Sequence, residues 1–115
     1  MLRRENEMKK ELRENMRGGA GAVELVEILL PEEMMNKGRM FDKITLKPGC
    51  SIGEHRHEGE AEVFYVISGT AAAHYNGKEI TLEKGDMFYT GDGNSHDIAN
   101  AGDSDLILIA LILYS

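Results

Sequence analysis

The stretch that decides the fold is residues 49–69, GCSIGEHRHEGEAEVFYVISG. It contains His55 and His57 two residues apart, Glu62 five residues after His57, and a glycine at each end. Side chains alternate between the two faces of a β-strand, so a strand through the first half of this stretch presents both imidazoles on one face. Two such imidazoles, joined by a carboxylate from the following strand, can bind a divalent metal ion.

The sequence around this stretch predicts an all-β domain of eight to ten short strands, either a sandwich or a barrel. The dipeptide Asn76-Gly77 predicts a tight hairpin, because both central residues of a type I′ turn need a positive φ. Segments 62–67 and 105–114 are apolar on both faces beyond Glu62, which indicates strands covered on both sides. The predicted strands are residues 23–30, 40–46, 52–57, 62–67, 70–75, 78–82, 87–90, 96–100 and 105–114. In so small a domain, we expect an outer sheet face or an edge to pack on a second copy, which gives a homodimer.

The first residues differ in character from the rest of the chain. We predict an N-terminal arm with a glycine-rich break over residues 1–21, followed by the barrel domain over residues 22–115. Met8, Leu12 and Met16 recur every four residues, which predicts a partial helix or a docked arm. The arm is far too short to be a helix-turn-helix domain that reads DNA.

Composition excludes several classes of protein. A chain of 115 residues is most simply one domain, and its net charge of −7 disfavours nucleic acid or an anionic membrane as a partner. The charged first 17 residues do not resemble a signal peptide, and the longest apolar run is too short to cross a bilayer as a helix. A single cysteine, Cys50, permits no internal disulfide, so we expect a cytoplasmic protein in which Cys50 is a small packed residue.

At this point the chain resembles the cupins, and within them the small single-domain members that are distantly similar to oxalate decarboxylases. The first cupin motif is matched position for position by Gly49, His55, His57, Glu62 and Gly69. The second motif is matched by Gly85, Gly93, His96 and Asn100. One position departs from the pattern, since the family usually has proline where this chain has Gly91. The two motifs cover nearly half of the chain, and the departure removes no ligand.

The resemblance implies a jelly-roll barrel, or double-stranded β-helix, with one divalent transition metal ion per chain bound by His55, His57, Glu62 and His96. Three imidazoles and one carboxylate suit manganese, iron, cobalt, nickel or zinc. A six-coordinate ion would keep two positions open for substrate, water or dioxygen. This favours a metal-dependent decarboxylase, dioxygenase or isomerase acting on a small carboxylate- or hydroxyl-bearing molecule. The alternatives are non-catalytic binding or sensing of a small carboxylate or sugar, and a dimeric structural protein.

The expected substrate pocket departs from that of the oxalate decarboxylases. In that family an arginine three residues before the first histidine helps to position the substrate, and this chain has Ile52 there. The departure disfavours a true oxalate decarboxylase or oxidase. Arg39 and Lys43 are the nearest cationic candidates for a carboxylate ligand. The predicted inner faces make the pocket wall apolar, with Ile52, Phe64, Val66 and Ile98.

The other polar and aromatic residues near the two motifs are expected to have structural roles. Glu54, Glu58 and Glu60 are predicted to form a solvated rim, with Glu60 as the alternative to Glu62 in the ligand set. We expect Arg56 to point outward and pair with an acid. The remaining expectations are an exposed His74 beside the hairpin, an outward Tyr65, a Tyr89 of undecided face, and an Asn100 that closes the turn at Ala101-Gly102.

Overall fold

Two antiparallel sheets make up the computed structural model, which describes residues 1–115. The strands in chain order are β1 (Lys10–Glu14), β2 (Ala22–Leu29), β3 (Gly38–Leu46), β4 (Ser51–Arg56), β5 (Glu60–Ser68), β6 (Ala71–Tyr75), β7 (Lys78–Leu82), β8 (Met87–Thr90), β9 (Ser95–Asn100) and β10 (Leu106–Tyr114). The only helical segments are single 3₁₀ turns at Glu5–Glu7, Met16–Gly18 and Pro31–Glu33. None of them is long or apolar enough to cross a membrane.

The strand order is that of a jelly roll, as predicted. One sheet has six strands in the order β1-β2-β3-β10-β5-β8, and the other has four in the order β4-β9-β6-β7. Because consecutive strands repeatedly change sheets, the predicted metal ligands come from both layers. Strand β5 belongs to the larger sheet, whereas β4 and β9 are neighbours in the smaller one.

The core lies between the two sheets, and strand β10 shows how it is built. Leu106, Leu108, Ala110 and Ile112 point inward and are fully or almost fully buried. The intervening residues of β10 are only half-buried, and Leu113 is exposed. The prediction that this strand is covered on both faces is therefore met only in part within one chain.

Of the two alternatives predicted for the N-terminal arm, a partial helix or a docked arm, the structure has the docked arm. Residues Lys10–Glu14 form β1, an edge strand paired with β2 from Lys10 opposite Val26 to Glu14 opposite Ala22. A short isolated helix is marginal in water, whereas the open edge of β2 supplies hydrogen-bond partners for the whole segment. Met16 then packs against the core. The β1–β2 pairing joins the arm to the barrel, and a domain boundary at residue 21 stays a prediction.

The hairpin at Asn76-Gly77 is confirmed. It joins β6 to β7, and both residues have a positive φ, 50° at Asn76 and 84° at Gly77. These are the conformations that a type I′ turn needs.

Candidate metal centre

Four predicted ligands converge between the two sheets. The Nε2 atom of His96 lies 3.0 Å from Nε2 of His57 and 3.1 Å from Nε2 of His55. The Oε1 atom of Glu62 is 2.9 Å from Nε2 of His57, 3.0 Å from Nε2 of His96 and 3.9 Å from Nε2 of His55. All the ligand atoms lie within 4.8 Å of one another. The structure thus brings together the four residues that the two motifs indicated.

An irregularity in β4 places the histidines. Ile52 is opposite Ile98 of β9 and His55 is opposite His96, so β4 has one more residue between these pairs than β9 has. This is a β-bulge at Gly53-Glu54, and it shifts the alternation of the strand by one residue. Ile52 and His55 therefore both point into the barrel, although simple alternation would put them on opposite faces.

The backbone after β4 holds His57 in place. Its N–H donates to the carbonyl oxygen of Asn94 at 3.0 Å, and its own carbonyl accepts from the N–H of Gly93 at 2.7 Å. These bonds tie His57 to the loop that leads into β9, and so to His96. The other ligand, Glu62, is an inward residue of β5 and is 4 % exposed.

Each imidazole has an acceptor for its Nδ1 proton. The Nδ1 atom of His55 is 2.8 Å from the carbonyl oxygen of Gly53, that of His57 is 2.6 Å from Oε2 of Glu60, and that of His96 is 2.7 Å from Oγ1 of Thr90. The carbonyl of Gly53 and the carboxylate of Glu60 can only accept, so Nδ1 of His55 and Nδ1 of His57 donate to them, and the Thr90 hydroxyl can accept from Nδ1 of His96 in the same way. These tautomers leave a lone pair on each Nε2. Three lone pairs and a carboxylate oxygen then face one another.

A metal ion fits this arrangement. Ligand atoms about 2.1 Å from one ion lie roughly 3.0 Å apart at right angles and roughly 3.4 Å apart at tetrahedral angles. Four of the five separations given above are 2.9–3.1 Å. Lone pairs at such distances repel one another unless a cation or a proton lies between them. The His55, His57, Glu62 and His96 group is therefore suited to hold one metal ion.

The pKa values follow from the same contacts. With no metal ion bound, protons on the histidine Nε2 atoms take the place of the cation: burial opposes the ionisation of Glu62, but hydrogen bonds from the three histidines outweigh it and hold the pKa of this carboxyl well below its usual range. Burial lowers the pKa of His96, which favours the neutral imidazole that a metal requires. For His57, burial is outweighed by hydrogen bonds to Glu62 and Glu60, which raise its pKa.

Glu60 has neither of the roles that the sequence suggested. Its side chain is mostly buried and accepts two hydrogen bonds of 2.7 Å from Arg39, from Nε and from one terminal nitrogen. The hydrogen bond from Arg39 is the main reason that the pKa of Glu60 falls to about 2. The prediction of a solvated rim is therefore wrong for this residue. Glu60 instead links Arg39 to the ligand His57, and Glu62 keeps the position in the ligand group.

The remaining expectations are largely confirmed. Glu54 and Glu58 are exposed, and Arg56 points outward with Nε 3.4 Å from Oε1 of Glu58. The amide of Asn100 closes the predicted turn, since its oxygen accepts from the N–H of Gly102 at 2.8 Å. The side chains that lie away from the ligand group include His74, which pairs with Asp97, the exposed Tyr65 and Tyr89, and Cys50, which packs against the core.

A small cavity of about 50 Å³ adjoins the ligand group. It is lined by Arg13, Met16, Arg17, Arg39, Met40, Ile44, Ile52, His55, His57, Glu62, Phe64 and Ile112. Ile52 and Phe64 line it as predicted, whereas Val66 and Ile98 are buried in the core beyond it. Lys43 does not reach it and instead pairs with Glu5 at 3.3 Å. Sequence reasoning missed Arg13 and Arg17, because nothing in the sequence indicates that residues so far before the two motifs lie next to the cavity.

The fold and this site define a class: a jelly-roll protein with a His₃Glu group suited to one metal ion. Comparison with protein families agrees, since the model of the cupin domain matches residues 43–112. The chain belongs to the cupin family.

The chain is similar to proteins of known sequence or structure over its whole length. An oxalate-binding protein of Thermotoga maritima is 43% identical over 113 residues, which are 98% of this chain and 93% of that protein. A crystal structure described as a predicted oxalate decarboxylase of the same organism superposes with a TM-score of 0.95 at 43% identity and covers both chains fully. The cupin domain of Cnp3 from Schizosaccharomyces pombe shares the fold, with a TM-score of 0.74 at 13% identity, over 91% of this chain and 69% of that one.

Proposed function

We propose that this protein binds one divalent transition metal ion through His55, His57, Glu62 and His96, and uses the open positions of that ion to bind a small carboxylate. Oxalate is the first candidate. The observation that carries the proposal is the convergence of three Nε2 atoms on Glu62 while every Nδ1 has its own acceptor. Such preorganised imidazoles are typical of metal sites. Manganese, iron, cobalt, nickel and zinc all suit the ligand set.

The size and charge of the cavity support a small anionic ligand. A space of about 50 Å³ holds a few water molecules or a ligand of only a few heavy atoms. Three arginines line it, and one of them, Arg17, has no acidic partner. The similarity to an oxalate-binding protein at 43% identity points to the same class of ligand.

The chain's own residues would orient the ligand group and keep water out. A bound ion would act as a Lewis acid toward carboxylate oxygens. Arg39 holds Glu60, and Glu60 fixes the ring of His57. The ring of Phe64 stacks on that of His96, with centroids 5.0 Å apart and an interplanar angle of 10°, which shields this ligand on its inner side.

We favour binding over turnover because the cavity offers no group that is free to move a proton. Its lining contains no tyrosine, no lysine and no acid other than Glu62. Glu62 and the two lining histidines belong to the ligand group, and arginine stays protonated. General acid–base catalysis needs a group that can both give and take a proton near neutral pH. A metal-dependent enzyme is the second candidate, since open positions on the ion would also admit a substrate.

We also infer that two copies associate through the outer face of the six-stranded sheet. Large apolar side chains are exposed together on the adjacent strands β5, β8 and β10. They are Tyr65, Ile67, Met87, Tyr89 and Leu113. Contiguous apolar surface of this kind is typical of a protein interface. The cytoplasm is the proposed location, since Cys50 leaves no internal disulfide to form.

Metal and ligand stoichiometry test the proposal. Protein reconstituted with manganese should hold about one ion per chain by elemental analysis, and should bind oxalate by calorimetry only when the metal is present. His57→Ala should lose most of the metal, whereas His74→Ala, which removes the histidine outside the group, should keep it. A wild-type protein that takes up no metal would contradict the metal site. A metal-loaded protein that ignores oxalate and other small carboxylates would contradict the ligand class.

A further inference from the structure

The turn after β1 brings two arginines to the cavity beside the metal ligands. We call residues 15–19 the strap. Arg13 is opposite Val23 of β2, whose side chain is wholly buried, so the side chain of Arg13 also lies on the inner side of the sheet. Arg17 lies within the strap, and both arginines line the cavity together with His55, His57 and Glu62. The N-terminal arm thereby contributes to the site.

The strap is closed at its ends and lies against β4. The N–H of Asn15 donates to the carbonyl oxygen of Gly21 at 2.8 Å across the turn, and Ala20, which follows the strap, accepts from the N–H of Ser51 of β4 at 2.9 Å. A Cβ atom added at Gly53 would lie only 2.1 Å from the carbonyl oxygen of Arg17, so the strap and the bulge of β4 are in close contact. Arg17 itself is in the left-handed region, with φ 55°, a conformation that the surrounding contacts must maintain.

Arg17 is the arginine with unused hydrogen-bonding capacity. Arg39 donates two hydrogen bonds of 2.7 Å to Glu60, and Arg13 donates two of 3.1–3.2 Å to Glu11. The guanidinium of Arg17 makes no side-chain hydrogen bond and no salt bridge. Its fork of N–H donors matches the two oxygens of a carboxylate.

Charge points the same way. The chain carries a net charge of −7, but of the three arginines that line the cavity Arg17 has no acidic partner, whereas Arg13 is paired with Glu11 and Arg39 with Glu60. A divalent ion at the ligand group would outweigh the charge of Glu62 and make the cavity locally positive. An anion is therefore attracted into the cavity although most of the protein repels it.

We propose that Arg17, supported by Arg13, binds the second carboxylate of a short dicarboxylate whose first carboxylate lies at the metal centre. This inference rests on the proposed function. Because the cavity is small and is lined both by Arg17 and by residues of the ligand group, one short dicarboxylate can contact both. The metal centre would then bind one carboxylate and Arg17 the second. Arg17 of the strap thereby supplies a cation to the cavity, whereas position 52 of β4 is an isoleucine and supplies none.

Binding of one- and two-carboxylate probes to the manganese-loaded protein tests the inference. Water-proton relaxation of bound manganese detects displacement of metal-bound water by oxalate and, at higher concentration, by acetate. Arg17→Gln should lower the affinity for oxalate roughly ten- to hundredfold, as expected when a charge-assisted hydrogen bond is lost. The same variant should change the affinity for acetate less than about twofold. Arg56→Gln is the matched control, since it removes the same charge from an outward residue between two ligands, and it should leave both affinities unchanged.

The outcomes separate the inference from the function on which it rests. If Arg17→Gln loses affinity for oxalate and acetate equally, or loses none for oxalate, the proposed role of Arg17 is overturned and metal-dependent binding is left intact. Wild-type protein that binds neither probe would overturn both. Metal content and thermal unfolding of each variant check that it folds. Should Arg17→Gln not fold, Arg17→Lys keeps the charge and loses the fork; unchanged oxalate affinity in that variant would also overturn the inference.

Discussion

The Nδ1 atom of His57 lies 2.6 Å from Oε2 of Glu60. Arg39 holds the same carboxylate from the other side, so an ionised group fixes the ring and raises the basicity of its Nε2 atom. The contact joins the ligand group to β3, a strand that contributes no ligand. We therefore expect the affinity for a metal ion to depend on Glu60 and Arg39 as well as on the four candidate ligands.

Glu60→Gln should weaken metal binding. The amide oxygen can still accept the proton of His57, but the negative charge and the paired bonds from Arg39 are lost. We expect a loss of roughly tenfold to a hundredfold in affinity for the ion, measured by competition with a chelator. Glu58→Gln is the control, since it removes the same charge from an exposed residue two positions earlier. Equal affinity in the two variants would show that Glu60 does not tune the site.

Thr90 is the buried acceptor for His96, and sequence reasoning did not identify it. Thr90→Val keeps the shape of the side chain but leaves Nδ1 of His96 without its partner at 2.7 Å. Denaturant unfolding of the metal-free protein should show a loss of about 1–3 kcal/mol. Thr81→Val, at an exposed strand position, should cost far less, and Thr90→Ser should restore much of the stability. A Thr90→Val protein as stable as the Thr81→Val protein would refute this role.

Asp42 should make stability depend on pH. It is 5 % exposed, and burial, followed by the neighbouring Glu27 carboxylate, raises its pKa to about 6. Native protein therefore binds a proton more tightly here than unfolded protein does, and the free energy of unfolding should fall as pH rises from about 4 to 6. Asp42→Asn cannot ionise, so it should be more stable than wild type by about 1–3 kcal/mol at pH 8.

The same pair of proteins at low pH provides the control for Asp42. Near pH 4 the carboxyl is protonated in the native state, and the two proteins should unfold at similar urea concentrations. A stability difference that is the same at pH 4 and pH 8 would mean that ionisation of Asp42 is not its cause.

The apolar outer face of the six-stranded sheet predicts a dimer. Light scattering should give twice the chain mass of 12.8 kDa. Tyr89→Glu places a charge within the face and should shift the protein toward the monomer. Met35→Lys alters an equally prominent apolar side chain outside the face and should leave the dimer intact. Wild-type protein that is monomeric at all concentrations would exclude this interface.

The four candidate ligands can be predicted from the sequence, whereas the residues that support them cannot. Spacing places His55 and His57 on one face and Glu62 on the following strand, and the family resemblance adds His96. Nothing in the spacing reveals that Thr90 reaches His96, because that contact depends on how β8 and β9 approach each other. The distance of three residues from His57 to Glu60 was visible, but it suggested a replacement ligand rather than a partner of the ring.

The N-terminal arm shows a second limit of sequence reasoning. Met8, Leu12 and Met16 follow the periodicity of a helix, yet residues Lys10–Glu14 form a strand. Local periodicity carries no information about the unpaired edge of β2, whose backbone groups form hydrogen bonds with this segment. For the same reason, the position of Arg17 at the cavity could be learned only from the structure.

The bulge at Gly53-Glu54 determines which side chains of β4 face the barrel interior. Without it, regular alternation over the same residues would put Ile52 and the two histidines on opposite faces, so one or the other would face solvent. The extra residue therefore lets the part of β4 before it fill the core while the part after it presents the histidines. A designer who moves the His-x-His pair to another sheet together with the strand before it must keep this extra residue, along with a glycine small enough for the strap to rest against.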